Sequence, residues 1–411
     1  MASDSANPSG RPVWVFAFLY FSEGAPIGFL WWAMPTLLRT EGVAVERITT
    51  LTALLVLPWT GKFLWAPLVD AIRGPKWGFR HWAMAAQLSM GACLVPLLWL
   101  DPLEHLTIWI ILLMAHAFFA ATQDVAIDAL AVTTTAPEQR GWLNGAMQAG
   151  MLLGRSLFGG GAILIAHRFG WQTVLVALLA AIWGTVIFLW TMVRGAEPSP
   201  SVHSAWDQFV RSLRHASRSR ATWMGLGFAL VAGAGFEAMG AMAGPFLIDA
   251  GVGPHATGVF FGLPVVGAML VGGLLGGRLS DRGDRRRRVG LFLGLLCGLV
   301  GTVGLANLLG LSGAVLMGLM TLVYFAIGLF TAASYGLFMD LTDPRLGATQ
   351  FSTYMAATNG CEAWSAGVGG RIAGSLGYGT AFLIMPLVGL FGLVFLGGMR
   401  RGAPSLKGSP R

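Results

Sequence analysis

The sequence predicts an all-α membrane protein with twelve transmembrane helices built as two six-helix pseudo-repeats. Three observations predict it. Hydrophobic residues make up 55% of the chain and charged ones only 11%, against roughly a quarter charged in a soluble domain. The apolar residues come in runs of about 20, the length at which a helix crosses a bilayer, whereas a membrane barrel would show short alternating segments. The second half also repeats the first: Phe118-Phe119-Ala120-Ala121-Thr122 reads onto Phe330-Thr331-Ala332-Ala333-Ser334, after which Asp128 falls on Asp340.

Taken in order, the apolar segments fall near 13–38, 48–71, 81–100, 106–132, 141–166 and 171–193. The first follows a polar start and contains Glu23, so it reads as an uncleaved span and not as a signal peptide. A polar linker over 194–220 opens with Pro198-Ser199-Pro200. It continues with Trp206, Phe209, Val210 and Leu213 at helical spacing, and Arg211, Arg214 and Arg218 lie between them. That pattern suits either an amphipathic helix on the inner leaflet or a plain basic hinge. Six more segments follow near 221–249, 255–279, 289–308, 312–339, 346–373 and 378–399. The expected domains are therefore a bundle over 1–193, the linker, and a bundle over 221–411.

The repeat extends beyond its opening motif. With a short gap, Pro137 pairs with Pro344, Gly154 with Cys361, Arg155 with Glu362, and Gly170-Trp171 with Gly377-Tyr378, while Asp70 falls on Asp281. Two parallel six-helix halves are the layout of a major facilitator transporter, which holds substrate between the halves near the midplane.

Charge placement sets the expected topology. With the N-terminus in the cytoplasm, 21 Lys and Arg fall in cytoplasmic segments and only Arg39, Arg47 and Arg168 in outer loops. Both termini are then inside. The net charge of +8 is this loop asymmetry and not a nucleic-acid footprint. Fifty-eight glycines suit close helix packing in lipid. Cys93, Cys297 and Cys361 are isolated in apolar runs, which argues against disulfide or metal roles.

Gly277-Arg278-Leu279-Ser280-Asp281-Arg282-Gly283-Asp284-Arg285-Arg286 closes span eight and resembles the major facilitator loop signature. An Asp at a helix end, a glycine turn and an Arg cluster can latch a neighbouring helix end by charge and dipole. The residues expected in such latches are Asp70, Asp281 and Arg282, with Asp128 and Asp340 held by loop arginines such as Arg140. For Arg287 and Arg288, simple inside-positive anchoring suffices.

Charges inside spans are costly and normally face the bundle interior or a water-filled path. Here they are Glu23, Lys62, Asp124, Asp128, Arg155, Glu237 and Glu362, with Arg371 and Asp340 near helix ends. Glu23, Asp124 and Glu362 are the expected proton-coupling carboxylates. Arg155 is the expected anion or carboxylate anchor, either paired with Glu362 or facing substrate alone, and Gln123 beside Asp124 is a further cavity residue. Trp31 and Trp32, with Tyr354 and Trp364, are placed to line a cavity for a bulky ligand, although membrane tryptophans also serve as interfacial anchors. For each buried charge, a salt bridge between helices is the competing role.

Thr122-Gln123-Asp124-Val125-Ala126-Ile127-Asp128, Lys62-Phe63-Leu64-Trp65-Ala66-Pro67-Leu68-Val69-Asp70 and Ala348-Thr349-Gln350-Phe351-Ser352 resemble the AmpG-type branch of the major facilitator superfamily. That branch holds muropeptide permeases, acetyl-coenzyme A transporters and siderophore importers of the rhizobactin and pyochelin type. The opening Tyr20-Phe21-Ser22-Glu23-Gly24-Ala25-Pro26 is similar to the siderophore importers, and the chain lacks the extra helices of enteric AmpG proteins. The resemblance implies alternating access and import of a bulky solute down a proton gradient.

The expected protein is a bacterial inner-membrane importer acting as a monomer on a small-molecule substrate and protons, with no cofactor and no nucleic-acid partner. Efflux by the same fold is the alternative. An embedded enzyme would need a convergent motif such as H-E-x-x-H or G-x-S-x-G, which the chain lacks. A sensor would need a soluble domain longer than the linker.

Overall fold

The computed structural model describes residues 13–72, 77–134, 140–192, 219–342 and 347–399. The linker expected to carry an amphipathic helix lies outside the described residues, except for Ser219 and Arg220. The side chains of Asp70 and Arg140 also lie outside them.

Among the described residues the secondary structure is helical, without a β-sheet. The first segment is α1 (Val13–Gly28), a π-helical turn at Phe29–Ala33, and α2 (Met34–Thr40). The second is α3 (Val45–Gly61), a 3₁₀ turn and α4 (Ala66–Ala71). Then come α5 (Phe79–Leu94), α6 (Leu106–Thr134) and α7 (Arg140–Arg155), the last continued by a π turn at Ser156–Gly160 and α8 (Gly161–Phe169). After α9 (Trp171–Met192), the seventh segment is α10 (Arg220–Val231) and α11 (Ala234–Asp249). The eighth is α12 (Pro254–Phe260), a π turn at Phe261–Val265, and α13 (Val266–Ser280). The rest are α14 (Arg285–Leu308), α15 (Gly313–Leu341), α16 (Gly347–Leu376), and α17 (Tyr378–Leu390) with α18 (Gly392–Gly398).

Among the described residues these helices group into twelve consecutive segments, nine of which are long and apolar enough to cross a membrane by length and composition. The other three are the first, second and eleventh, which carry Glu23, Lys62 and Glu362.

The breaks within segments have local causes. Pro26 removes an amide hydrogen from α1 just before its π turn, and Pro264 sits inside the π turn of the eighth segment. The π turn after α7 ends in consecutive glycines, Gly159 and Gly160. Glycines also close the repeat: Gly170 and Gly377, equivalent in sequence, both take a positive φ, 83° and 85°. Each bends the chain between two helices at a conformation that side chains disfavour.

The chain forms two compact units. The first contains Met1–Gly42, Leu64–Ala205 and Val252–Val266; the second contains Val43–Phe63, Trp206–Gly251 and Gly267–Arg411. So α3 belongs with the second unit, and α12 with its π turn belongs with the first.

Within the first unit, α1 lies directly on α7. A Cβ placed on Gly24 would meet the Met151 carbonyl oxygen at 2.2 Å, and one on Gly154 would meet that of Phe21 at 2.3 Å. Lipid tails supply no hydrophobic drive between helices, so such backbone contact, and the dispersion it gains, replaces it. The same device recurs in the second unit. There, Gly272 and Gly328 bring α13 against α15, with Cβ positions 2.0 Å and 2.3 Å from the Phe325 and Met269 oxygens. Gly370, Gly367 and Gly360 of α16 face Thr49, Ala53 and Thr60 of α3 in antiparallel register.

Candidate functional site

The polar residues of α1 and α6 meet inside the first unit. α6 is apolar over 29 residues except for His116 and a short polar stretch around Gln123, Asp124 and Asp128. Asp124 is 5% exposed, Gln123 0% and Glu23 of α1 4%. Tyr20, one turn before Glu23, is buried, and its phenol donates a hydrogen bond to the Asp128 carboxylate. Glu23, Asp124 and Asp128 all act electrostatically on that phenol. Ser22, the residue before Glu23 on α1, accepts a 3.0 Å hydrogen bond from the Gln87 amide of α5. Neither amide atom of Gln123 has a hydrogen-bond partner among the described residues. A buried amide without partners is costly, and the neighbouring carboxylates make this the natural place for a polar ligand group.

Helix geometry explains the convergence. Tyr20 and Glu23 lie three residues apart on α1, and Asp124 and Asp128 four apart on α6, so each pair shares a face. The first and fourth spans run in opposite directions. With Tyr20 opposite Asp128, antiparallel register brings Glu23 to the level of Asp124.

Arg155 ends α7 and opens the π turn Ser156–Gly160. Its Nε is buried without a hydrogen-bond partner among the described residues. The three π turns of the first unit converge beside it. Ser156 donates to the Gly262 carbonyl at 2.5 Å, and Gly160 packs backbone to backbone on Gly262 and Gly258. Trp32 is stacked on Phe261 with ring centroids 5.3 Å apart and planes at 18°. π turns in transmembrane helices concentrate at functional sites, so Trp32 and Arg155 sit where the backbone is already irregular.

In the second unit, α10 and α11 are interrupted at Ala232-Gly233. A Cβ on Gly233 would lie 3.2 Å from Cγ of Glu237 and 3.3 Å from Sγ of Cys361. The Cys361 thiol feels the charges of both Glu237 and Glu362, and Tyr324 feels that of Glu237. Glu237, given less weight than Glu362 in the sequence, therefore sits at a helix break against Cys361, the residue before Glu362. Discontinuous spans are where transporters of this kind build binding sites.

Two aromatic residues expected on a cavity wall have other partners here. Tyr354 is fully buried, stacked on Phe338 at 5.0 Å, and its hydroxyl accepts from Gln350. It packs the core of the second unit. Tyr354→Phe is accordingly expected to lower stability by about 1 kcal/mol and leave substrate KM unchanged, checked by thermal unfolding beside uptake kinetics. Trp364 donates its indole N–H to the Leu230 carbonyl at 2.8 Å, tying α16 to α10.

At the end of span eight, Arg285 is the cation between two carboxylates. It pairs with Asp281 at 2.6 Å and with Asp340 of α15 at 2.7 Å, and it also donates to the Gly336 carbonyl. The sequence pointed to Arg282, which is exposed and forms no ion pair among the described residues. Asp284 instead caps α14, accepting from the Arg286 and Arg287 amides. The reason is reach: the turn at Gly283 brings Arg285, the first residue of α14, back to Asp281, whereas Arg282 adjoins Asp281 within that turn and is exposed. Among the described residues, no group of His, Cys, Asp and Glu is arranged to hold a metal ion.

Comparison with known proteins decides the family. Residues 16–367 match the profile of the Major Facilitator Superfamily. The chain belongs to the Major Facilitator Superfamily. Its curated relatives within that superfamily carry the names its motifs resemble. The anhydromuropeptide permease of Escherichia coli K12 is 26% identical over 389 residues, covering 93% of this chain and 78% of that one. A Rickettsia conorii protein named "Putative transporter AmpG 4" is 25% identical over 394 residues, covering 91% and 94%.

Among solved structures, the fold matches a D-xylose–proton symporter with a TM-score of 0.74 at 13% identity, over 97% of this chain and 98% of that one. It also matches a bacterial homologue of the human lysosomal transporter Spinster, in an inward-facing and occupied conformation. That match has a TM-score of 0.71 at 14% identity and covers 95% and 96%. At these identities the two structures speak for the major facilitator fold and no further.

Proposed function

We propose that this major facilitator protein imports an anhydromuropeptide-class solute across the bacterial inner membrane, driven by protons, with both termini in the cytoplasm. The observation that carries the coupling is the buried carboxylate set of the first unit, Glu23 and Asp124 at one level with Tyr20 and Asp128 one turn away. Taking charge out of water is unfavourable, and binding a proton to one carboxylate removes a unit of it. A carrier that must pass through a closed, water-poor state is then easier to turn over protonated and loaded than empty and charged. The muropeptide class is drawn from the names of the relatives.

The proposed proton carriers are Glu23, Asp124 and Glu362. Arg155 and Gln123, each with buried polar atoms that lack hydrogen-bond partners among the described residues, are the proposed contacts for substrate carboxylate and amide groups. Trp32 offers an apolar face beside them, and the proposed working form is a monomer. The residues act by binding and releasing, with no covalent step.

The test is uptake of a labelled anhydromuropeptide by proteoliposomes under an imposed inward proton gradient, with a protonophore control and a ferric siderophore in parallel. Accumulation of the muropeptide that the protonophore abolishes is the expected result. Accumulation of the siderophore alone would replace the substrate class, and gradient-independent equilibration would remove the coupling.

A further inference from the structure

We infer that Tyr20 is a positioning residue for proton coupling: through its hydrogen bond it holds the Asp128 carboxylate of α6 against α1, beside Glu23 and Asp124. The inference rests on the proton-coupled reading above and adds a residue to it. It begins from the Tyr20–Asp128 hydrogen bond itself, which joins side chains 108 positions apart and links α1 to α6.

Tyr20 is buried in a cluster with Phe16 and Leu19 of its own helix and Ile127, Leu130 and Ala131 of α6. That packing fixes the ring and leaves only its hydroxyl to choose a partner. A phenol has one proton to donate and stays protonated at neutral pH. It therefore holds a carboxylate in place without carrying the transported proton. The proton arrives at a carboxylate oxygen, neutralises one negative charge and leaves from that oxygen, while the phenol O–H bond is intact throughout.

The other charged and titratable groups on the packed elements include Glu23 on α1, His116 and Asp124 on α6, Arg80 and His81 at the start of α5, and Arg155 at the end of α7. Against three carboxylates on two helices, a neutral donor has a particular use. A cation would hold the anions charged, whereas a phenol orients Asp128 without adding a positive charge of its own. The fully buried Gln123, whose amide atoms have no hydrogen-bond partner among the described residues, lies on the same turn of α6 and marks that turn as one kept polar inside an otherwise apolar span.

The experiment compares two modes of transport in proteoliposomes holding the full chain: accumulation driven by a proton gradient, and exchange of labelled for unlabelled anhydromuropeptide at equilibrium. Tyr20→Phe keeps the ring and its packing and removes the donor. The expected result is a roughly tenfold lower kcat for gradient-driven uptake, with KM and exchange within about twofold of wild type. Asp128→Asn, which keeps the side chain's shape, is expected to show the same split. An equal loss of driven uptake and exchange in Tyr20→Phe would make the tyrosine merely structural and overturn the inference. So would wild-type driven uptake in either variant. If wild type itself fails to respond to the gradient, the proton-coupled reading falls, an outcome read from a different sample.

Discussion

Glu23→Gln is expected to abolish gradient-driven accumulation while sparing exchange. The substitution is nearly isosteric, so α1 keeps its packing on α7 and the site keeps its shape. Glutamine cannot take up a proton, however, so the site stays neutral in every state. A permanently neutral site turns over freely in both directions but cannot tie substrate movement to the gradient. Driven uptake should fall by an order of magnitude or more, with exchange at or above the wild-type rate, measured in the same vesicles.

Asp124→Asn, at the same level on α6, should behave alike if the two carboxylates share one proton. Glu362→Gln tests the second unit, where Glu237 and Cys361 adjoin the same position. A normal gradient response in Glu362→Gln would confine coupling to the first unit. A normal response in Glu23→Gln and Asp124→Asn together would remove these carboxylates from the mechanism.

The second large effect is structural. Gly154→Val should prevent stable assembly of the first unit. The Cβ alone would lie 2.3 Å from the Phe21 oxygen and 2.8 Å from the Ala25 nitrogen, all backbone atoms of α1. No rotamer relieves that contact, so the two helices must separate, and the interface loses dispersion along its whole length. Overpacking typically costs about 1–3 kcal/mol, and more where rigid backbone is met. Gly145→Ala on the same helix is the control, because a Cβ there meets nothing within 4 Å. It should be neutral or slightly stabilising, since alanine favours helix. Thermal unfolding and monodispersity in detergent report both variants. A wild-type melting temperature for Gly154→Val would refute backbone contact between α1 and α7.

Much of this molecule is readable along one dimension. Span length follows from bilayer thickness and the repeat from aligned residues, so the order of helices and the superfamily need no coordinates. The positive φ shared by Gly170 and Gly377 is where that repeat becomes visible in the backbone. The identities of the buried charges were equally legible, because a carboxylate inside an apolar run stands out by contrast.

Which of those charges meet was decided only by tertiary structure. α6 is apolar almost all the way round, so its sequence carries no amphipathic stripe to say which face turns toward α1. Asp128 was therefore assigned to a loop arginine such as Arg140, whose side chain lies outside the described residues, and the structure adds the buried phenol of Tyr20 as a donor to it. The same gap hid the choice of Arg285 as the cation between Asp281 and Asp340, the core packing of Tyr354 on Phe338, and the convergence of three π turns around Ser156 and Gly262. Sequence specifies how many helices cross and what each one carries. In lipid, where apolar faces are nearly equivalent, only close packing of small residues selects which faces touch, and that selection assembles the site.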